Sequence, residues 1–297
     1  MSLHLVIGAS GQIGAHLLRQ LQQVGQSASG TFYRSPRPGL FPLDLREEES
    51  VFALVRRLEP RVIYLPAGFT NVDQCEVDPG SAYAINVLGT WHAIRAANLV
   101  QARVVFFSSD YVFDGASGPY AEDEPPRPLS EYGRQKVLGE LGVALNVRDY
   151  LIVRTTVVYG WEEQGKNFVQ RLVASLQERK RVRVPYDQIG SPTYAPNLAA
   201  AVVELATSGA AGLFHIAGPE RVSRYEFARA AAEAFKLDPA LIEPVSTPEL
   251  AQPAPRPLQA GLRIEKAQAL WSARLLGYRE GLSRMVAERQ EESYARP

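Results

Sequence analysis

The chain has 297 residues, 46% of them apolar and 22% charged, enough for one large core or for two domains sharing a cleft. Its 32 basic and 32 acidic residues cancel, which argues against a nucleic-acid-binding face and an acidic tail and leaves only local basic sites for a phosphate. The single cysteine, Cys75, rules out an internal disulfide and reads as a packing residue, and four scattered histidines offer no metal-ligand spacing.

Leu3–Ile7 reads as a strand with no signal peptide before it, and no run of about 18 apolar residues follows. The expectation is a cytoplasmic protein that crosses no membrane. Next comes Gly8-Ala9-Ser10-Gly11-Gln12-Ile13-Gly14, which opens a helical stripe over Gln12–Val24 with Ile13, Leu17, Leu18 and Leu21 on one face. Glycines between a strand and a helix permit a tight turn and close backbone approach, and the helix start offers free amides to a pyrophosphate. Gly8, Ser10, Gly11, Gln12, Ile13 and Gly14 are therefore candidate dinucleotide contacts. Ser27–Phe32 reads as the second strand. An NAD site commonly carries an acid about 20 residues past the last glycine. Arg34 stands there, followed by Ser35, with no acid nearby. That pair suits a 2′-phosphate and favours NADP(H) over NAD(H). Asp44 ends the run Leu40–Asp44, as an acceptor for the adenine amine or as the cap of a helix over Glu47–Leu58.

Further strands are predicted at Arg61–Pro66, Arg103–Ser108, Tyr150–Val158 and Gly212–Ala217. Helices are predicted at Ser81–Asn98, Glu131–Asn146, Asn167–Glu178, Pro196–Thr207 and Arg224–Phe235, and Pro244–Pro257 reads as a proline-rich loop. Strand–helix alternation predicts an α/β fold with a doubly wound parallel sheet. The boundary is placed near Tyr159: residues 1–159 form a cofactor domain, rejoined by about 190–216, and residues 160–297 form mainly a substrate domain. Asn86 reads as a structural hydrogen-bonding residue. The three tryptophans read as core or rim aromatics, with Trp161 best placed for a cleft edge. Glu288–Glu292 reads as a solvated tail.

Ser109 follows the strand Arg103–Ser108, and 23 residues later Tyr132 lies in the first turn of a helix on which Lys136 shares its face. An ammonium beside a phenol is expected to lower its titration from near 10, so that the pair exchanges a proton with a substrate oxygen held by the serine. The chain has 27 arginines and five lysines, so a lysine at this spacing is less readily an accident.

Together these residues resemble the extended short-chain dehydrogenase family, and within it the dTDP-4-dehydrorhamnose reductases. The likeness rests on Ser108–Gly115, on Ala67–Asp73, on Arg154–Gly160, on Asp187–Thr193 and on Pro253–Pro257, in family order. It implies a Rossmann domain with a smaller nucleotide-sugar domain. It implies Ser109, Tyr132 and Lys136 as the catalytic triad. Leu45, Ala67, Gly68 and Phe69 join the cofactor contacts, and Thr70, Val72, Asp110 and Tyr111 line the sugar site. The implied reaction is NADPH-dependent reduction at C4 of a 4-keto-6-deoxy nucleotide sugar, with Tyr132 as proton donor. Departures fall at Val157, where the family has tryptophan, at Gly68, where it has alanine, and at Ala260 and Arg263, where it favours Ser and Asp. The Ser-Asp-Tyr-Val-Phe-Asp-Gly run is also similar to the methionine adenosyltransferase beta subunit, which implies an NADP-binding regulatory alternative. A nucleotide-sugar epimerase is a further alternative. A dehydratase is disfavoured, because Asp110 is followed by Tyr111 rather than by a second acid. A homodimer is compatible with the sequence.

Overall fold

The computed structural model describes residues 3–294, with side chains as far as Glu288. The strands are β1 Leu3–Val6, β2 Ser27–Phe32, β3 Leu40–Pro42, β4 Val62–Leu65, β5 Arg103–Ser109, β6 Tyr150–Thr155, β7 Val158–Tyr159, β8 Val182–Pro185, β9 Ile189–Gly190, β10 Thr193–Tyr194, β11 Gly212–His215, β12 Val222–Ser223 and β13 Ile242–Val245. The helices are α1 Gln12–Gln23, α2 Glu48–Leu58, α3 Val72–Val77, α4 Pro79–Tyr83, α5 Gly89–Leu99, α6 Glu131–Asn146, α7 Phe168–Gln177, α8 Ala195–Thr207, α9 Arg224–Ala234, α10 Glu265–Leu270 and α11 Tyr278–Tyr294.

Seven strands form one parallel sheet in the order β11-β6-β5-β4-β1-β2-β3. Every residue of β4 and β5 is buried, as apolar strands covered on both faces require. One face packs on α1 and α8 through Val6, Leu17, Tyr64, Val105 and Val202; the other packs on α2 and α5 through Leu5, Ile63, Phe106, Val55 and Ile94. The chain winds from β1 outward to β3, then crosses back to β4 and runs the other way. The crevice between the carboxyl ends of β1 and β4 is the switch point where such sheets bind ligands. A further apolar cluster joins α7, α9 and α11 through Tyr159, Leu172, Phe227 and Met285.

The structure departs from the sequence reading in four places. The predicted strand Tyr150–Val158 is broken, because Val157 adopts φ +42°; a left-handed β-branched residue cannot continue a strand. β7 instead pairs with β10. Part of the proline-rich stretch is regular, since Ile242–Val245 pairs with β8. The predicted helix Ser81–Asn98 contains a π-helical turn, Ala84–Leu88. Glu288 is not freely solvated, because Tyr194 donates a hydrogen bond to it; the side chains of 289–292 lie outside those described. Among the described residues, no helix is long and apolar enough to cross a membrane.

Candidate active site

The glycine turn sits at the crevice. Gly8 has φ +93°, and a Cβ there would lie 2.9 Å from that of Ala67. A Cβ on Gly14 would lie 2.2 Å from the carbonyl oxygen of Gly8, so the third glycine lets α1 start against the turn. Gly11 caps α1 without a side-chain hydrogen bond, and the first turn holds no acid. Its amides are thus positioned for an anion. Ser10 is buried, Gln12 donates to the Gly160 carbonyl at 3.4 Å, and Ile13 packs on the sheet core. Gly14→Ala is expected to cost about 1–3 kcal/mol by overpacking and to abolish dinucleotide binding, as read by thermal unfolding and cofactor titration. An unchanged titration would show that the close approach is not needed.

At the end of β2, Arg34 is exposed with its guanidinium 5.2 Å from the Tyr33 ring centre, and Ser35 is half-buried. Asp44 is not the cap of α2. Glu47 holds that position, and Arg46 grips the Asp44 carboxylate at 3.0 and 2.6 Å. This pairing holds the Asp44 carboxyl below its usual range. Leu45 is buried, and its carbonyl accepts from His92 at 2.8 Å. Ala67 bonds back to the Ile7 carbonyl at 3.1 Å. Asn86, in the π-helical turn, accepts from the Phe69 amide at 2.7 Å and donates to the Phe69 carbonyl and to Gln135. π turns recur at functional sites, and here one shapes the Gly68–Phe69 loop. A Cβ on Gly68 would sit 3.5 Å from Lys136 Nζ.

Lys136 and Tyr132 are both buried on α6. Ser130 caps that helix with its hydroxyl, which fixes the first turn. Lys136 Nζ donates to the Phe107 carbonyl at 2.9 Å and lies 5.8 Å from the Tyr132 ring centre. Burial lowers the Lys136 ammonium to about 8, opposed by Glu140. Tyr132 departs from expectation: burial, with Asp110 adding, pushes its phenol above the ordinary value, while a hydrogen bond with Ser109 pulls the other way. Spacing shows which side chains share a face but not how dry that face is. Ser109 donates to Asp110 at 3.0 Å, and Thr156 donates to the other oxygen of Asp110 at 2.6 Å. Burial still raises Asp110.

A cleft opens from this cluster. Asp110, Tyr111, Thr156, Val157, Gln188 and Arg224 are among its lining residues. Tyr111 meets Tyr132 edge-on at 5.7 Å, and the Arg256 guanidinium lies 6.0 Å from the Tyr111 ring centre while bonding Asp73 at 2.8 Å. Arg224 favours the charged forms of Tyr111 and Asp110. Val72 packs with Tyr111, Tyr132 and Cys75, whereas Thr70 is exposed on the preceding loop. Trp161 is a packing residue, its ring edge-on to Phe235 and its indole N–H donating to the Met285 carbonyl. Thr156, Arg224, Gln135 and Glu140 escaped the sequence reading. Only Thr156 had a signal, since it sits in the Arg154–Gly160 run.

The arrangement suits a nicotinamide dinucleotide. Four buried side-chain polar atoms have no partner among the described residues, and three of them, in Arg37, Ser108 and Thr155, lie at the carboxyl end of the sheet. No group of three or more metal-binding side chains occurs among the described residues.

The family described as the RmlD substrate binding domain matches residues 1–291. The spore coat polysaccharide biosynthesis protein SpsK of Bacillus subtilis is 36% identical over 97% of this chain and 98% of its own. The methionine adenosyltransferase 2 subunit beta of Xenopus laevis is 30% identical over 94% of this chain and 85% of its own. The dTDP-4-dehydrorhamnose reductase of Bacillus anthracis, solved in complex with NADP, superposes with a TM-score of 0.88 at 30% identity over 97% of this chain and 100% of that one. The chain therefore belongs to the RmlD family, the dTDP-4-dehydrorhamnose reductase-like branch of the NAD(P)-dependent short-chain oxidoreductases.

Proposed function

We propose that the protein reduces the C4 carbonyl of a 4-keto-6-deoxy nucleotide sugar with NADPH, Tyr132 donating the proton. The observation that carries this reading is the Ser109–Tyr132–Lys136 cluster between the glycine turn and the cleft. The cradle residues are Gly8, Ser10, Gly11, Gln12, Ile13 and Gly14, with Leu45 and Ala67–Phe69 beside them. Asp44 is the adenine acceptor, sharing its carboxylate with Arg46. NADP(H) is favoured over NAD(H) by the basic loop after β2, which carries Arg34, Ser35 and Arg37. When bound, a reduced nicotinamide supplies the hydride. Tyr132 gives its proton to the carbonyl oxygen, and a phenol held neutral by burial suits a donor better than a base. Ser109 hydrogen-bonds the same oxygen. Lys136 holds the cofactor's ribose hydroxyls and supplies positive charge as the phenolate forms. Asp110, Tyr111, Val72 and Thr70 line the sugar side, and Arg224 faces a diphosphate. Residues up to about 159, rejoined by α8 and β11, act as the cofactor half, and the remainder acts mainly as the substrate half.

Incubating the chain and NADPH with dTDP-, UDP- and GDP-linked 4-keto sugars tests this. Loss of NADPH absorbance with at least one sugar is the expected result. Sugar conversion without cofactor loss would mean an epimerase. No turnover together with tight binding to a methionine adenosyltransferase would mean a regulatory subunit.

The reaction has a pH signature. Lys136 titrates at about 8, so its charge is present below that value and lost above it. kcat/KM for reduction is expected to fall as pH rises through about 8, well before Tyr132 ionises. Lys136→Arg is expected to move that falling limb upward. A flat profile between about pH 7 and about pH 9, one unit below and above that titration, would contradict the role given to Lys136.

A further inference from the structure

We infer that Arg37 is a cation contested between the cofactor's 2′-phosphate and Glu163, so that this pair, rather than Arg34, sets the preference between NADPH and NADH; the inference rests on the cofactor reading above. Arg37 lies in the loop between β2 and β3, where the adenosine ribose of a dinucleotide comes to rest beside the glycine turn. Its Nη2 donates to the Ser10 carbonyl at 3.1 Å. The same nitrogen lies 3.0 Å from Glu163 Oε2, in a pair whose side chains are 20% and 72% exposed respectively. Its Nε is buried with no partner. Glu163 thus engages one end of the guanidinium and leaves the fork incomplete. A phosphate dianion is the partner that accepts from both Nε and Nη2.

Glu163 belongs to the segment Gly160–Asn167, which leads from β7 to α7 and lies across the turn. Gln164 donates to the Ser10 carbonyl at 3.1 Å, Gln12 donates to the Gly160 carbonyl, and His16 Nε2 meets the Trp161 carbonyl at 3.0 Å. The base of the segment is fixed separately. Glu162 accepts from the Asn167 amide at 2.6 Å, and Asn167 Nδ2 donates to the Gly160 carbonyl at 2.9 Å. Glu163 is therefore a tip contact that can leave without undoing the segment. Two anions cannot share one arginine without repulsion. A 2′-phosphate must displace Glu163, whereas a 2′-hydroxyl leaves the ion pair in place. Arg34 is instead exposed, with its guanidinium over the Tyr33 ring.

Fluorescence titration of wild type, Arg37→Ala, Glu163→Gln and Arg34→Ala with NADPH and with NADH tests this, with thermal unfolding to confirm the fold. Arg37→Ala is expected to weaken NADPH about tenfold to 100-fold, the scale of lost charged hydrogen bonds, and to change NADH less than about twofold. Glu163→Gln is expected to tighten NADPH by about threefold or more, by removing the competing charge, and to leave NADH unchanged. Arg34→Ala is expected to weaken NADPH less than Arg37→Ala. Equal losses for both cofactors in Arg37→Ala, or no tightening in Glu163→Gln, would overturn the inference while leaving the reductase reading standing. Binding of neither cofactor by wild type would sink both.

Discussion

Tyr132→Phe is expected to lower turnover by at least about 100-fold, the usual scale for a lost general acid, with NADPH affinity nearly unchanged. The substitution removes one hydroxyl and keeps the ring. The ring's edge contact with Tyr111 and its packing on Cys75 and Ala82 survive, so the fold is not at stake. Ser109 keeps its bond to Asp110 but loses the phenol beside it. Water is a poor substitute donor, because the position is buried. Pre-steady-state mixing with NADPH checks the result, and turnover within tenfold of wild type would remove Tyr132 from the mechanism.

Arg154→Ala is expected to destabilise the protein by about 3–5 kcal/mol, the scale for breaking a buried ion pair, lowering Tm by on the order of 10 °C. Arg154 bonds Glu140 through two nitrogens, at 2.8 and 2.7 Å, with side chains 3% and 9% exposed. Its guanidinium also lies 4.9 Å from the Phe113 ring centre and 3.5 Å from His215 Nε2. Burial first, and then Arg154, push the His215 imidazole down to about 3, and the burial remains when Arg154 is removed. Glu140 would be left buried without its guanidinium partner, one helical turn beyond Lys136. Replacing both partners with apolar residues of similar size, Glu140→Leu with Arg154→Met, is expected to recover much of the loss. Thermal and urea unfolding of the wild type and the two variants measures this. A single variant losing under about 1 kcal/mol would show that the pair is not desolvated as its burial implies.

The glycine turn, the strand–helix alternation of the first half and the Tyr132–Lys136 pair are legible because each is a local pattern. Gly8 to Gly14 occupy one turn, and positions 132 and 136 must share a helix face whatever surrounds them. What escaped depends on parts of the chain that meet only after folding. Asp44 is open in the sequence between an adenine contact and a helix cap; the fold puts Glu47 at the cap and pairs Asp44 with Arg46. Val157 reads as strand from its β-branched side chain, yet the turn toward β7 forces it left-handed. The direction of the Tyr132 shift is hidden from the sequence for the same reason: an adjacent ammonium is visible in the spacing, but burial by Val72, Cys75 and Tyr111 is not. Arg37 carries no signal in the sequence, because its contacts with Ser10 and Glu163 exist only once the segment from Gly160 lies over the turn.

Hydride destination is the most direct test of the central claim. The chain is mixed with NADPH deuterated at the transferable position and with a dTDP-linked 4-keto-6-deoxy sugar, and the product is read by mass spectrometry and NMR. The expected result is one deuterium per sugar, bonded at C4, with one NADPH consumed for each product formed and no label transferred by Tyr132→Phe on the same timescale. A product without deuterium, or a sugar converted with the cofactor pool intact, would contradict it.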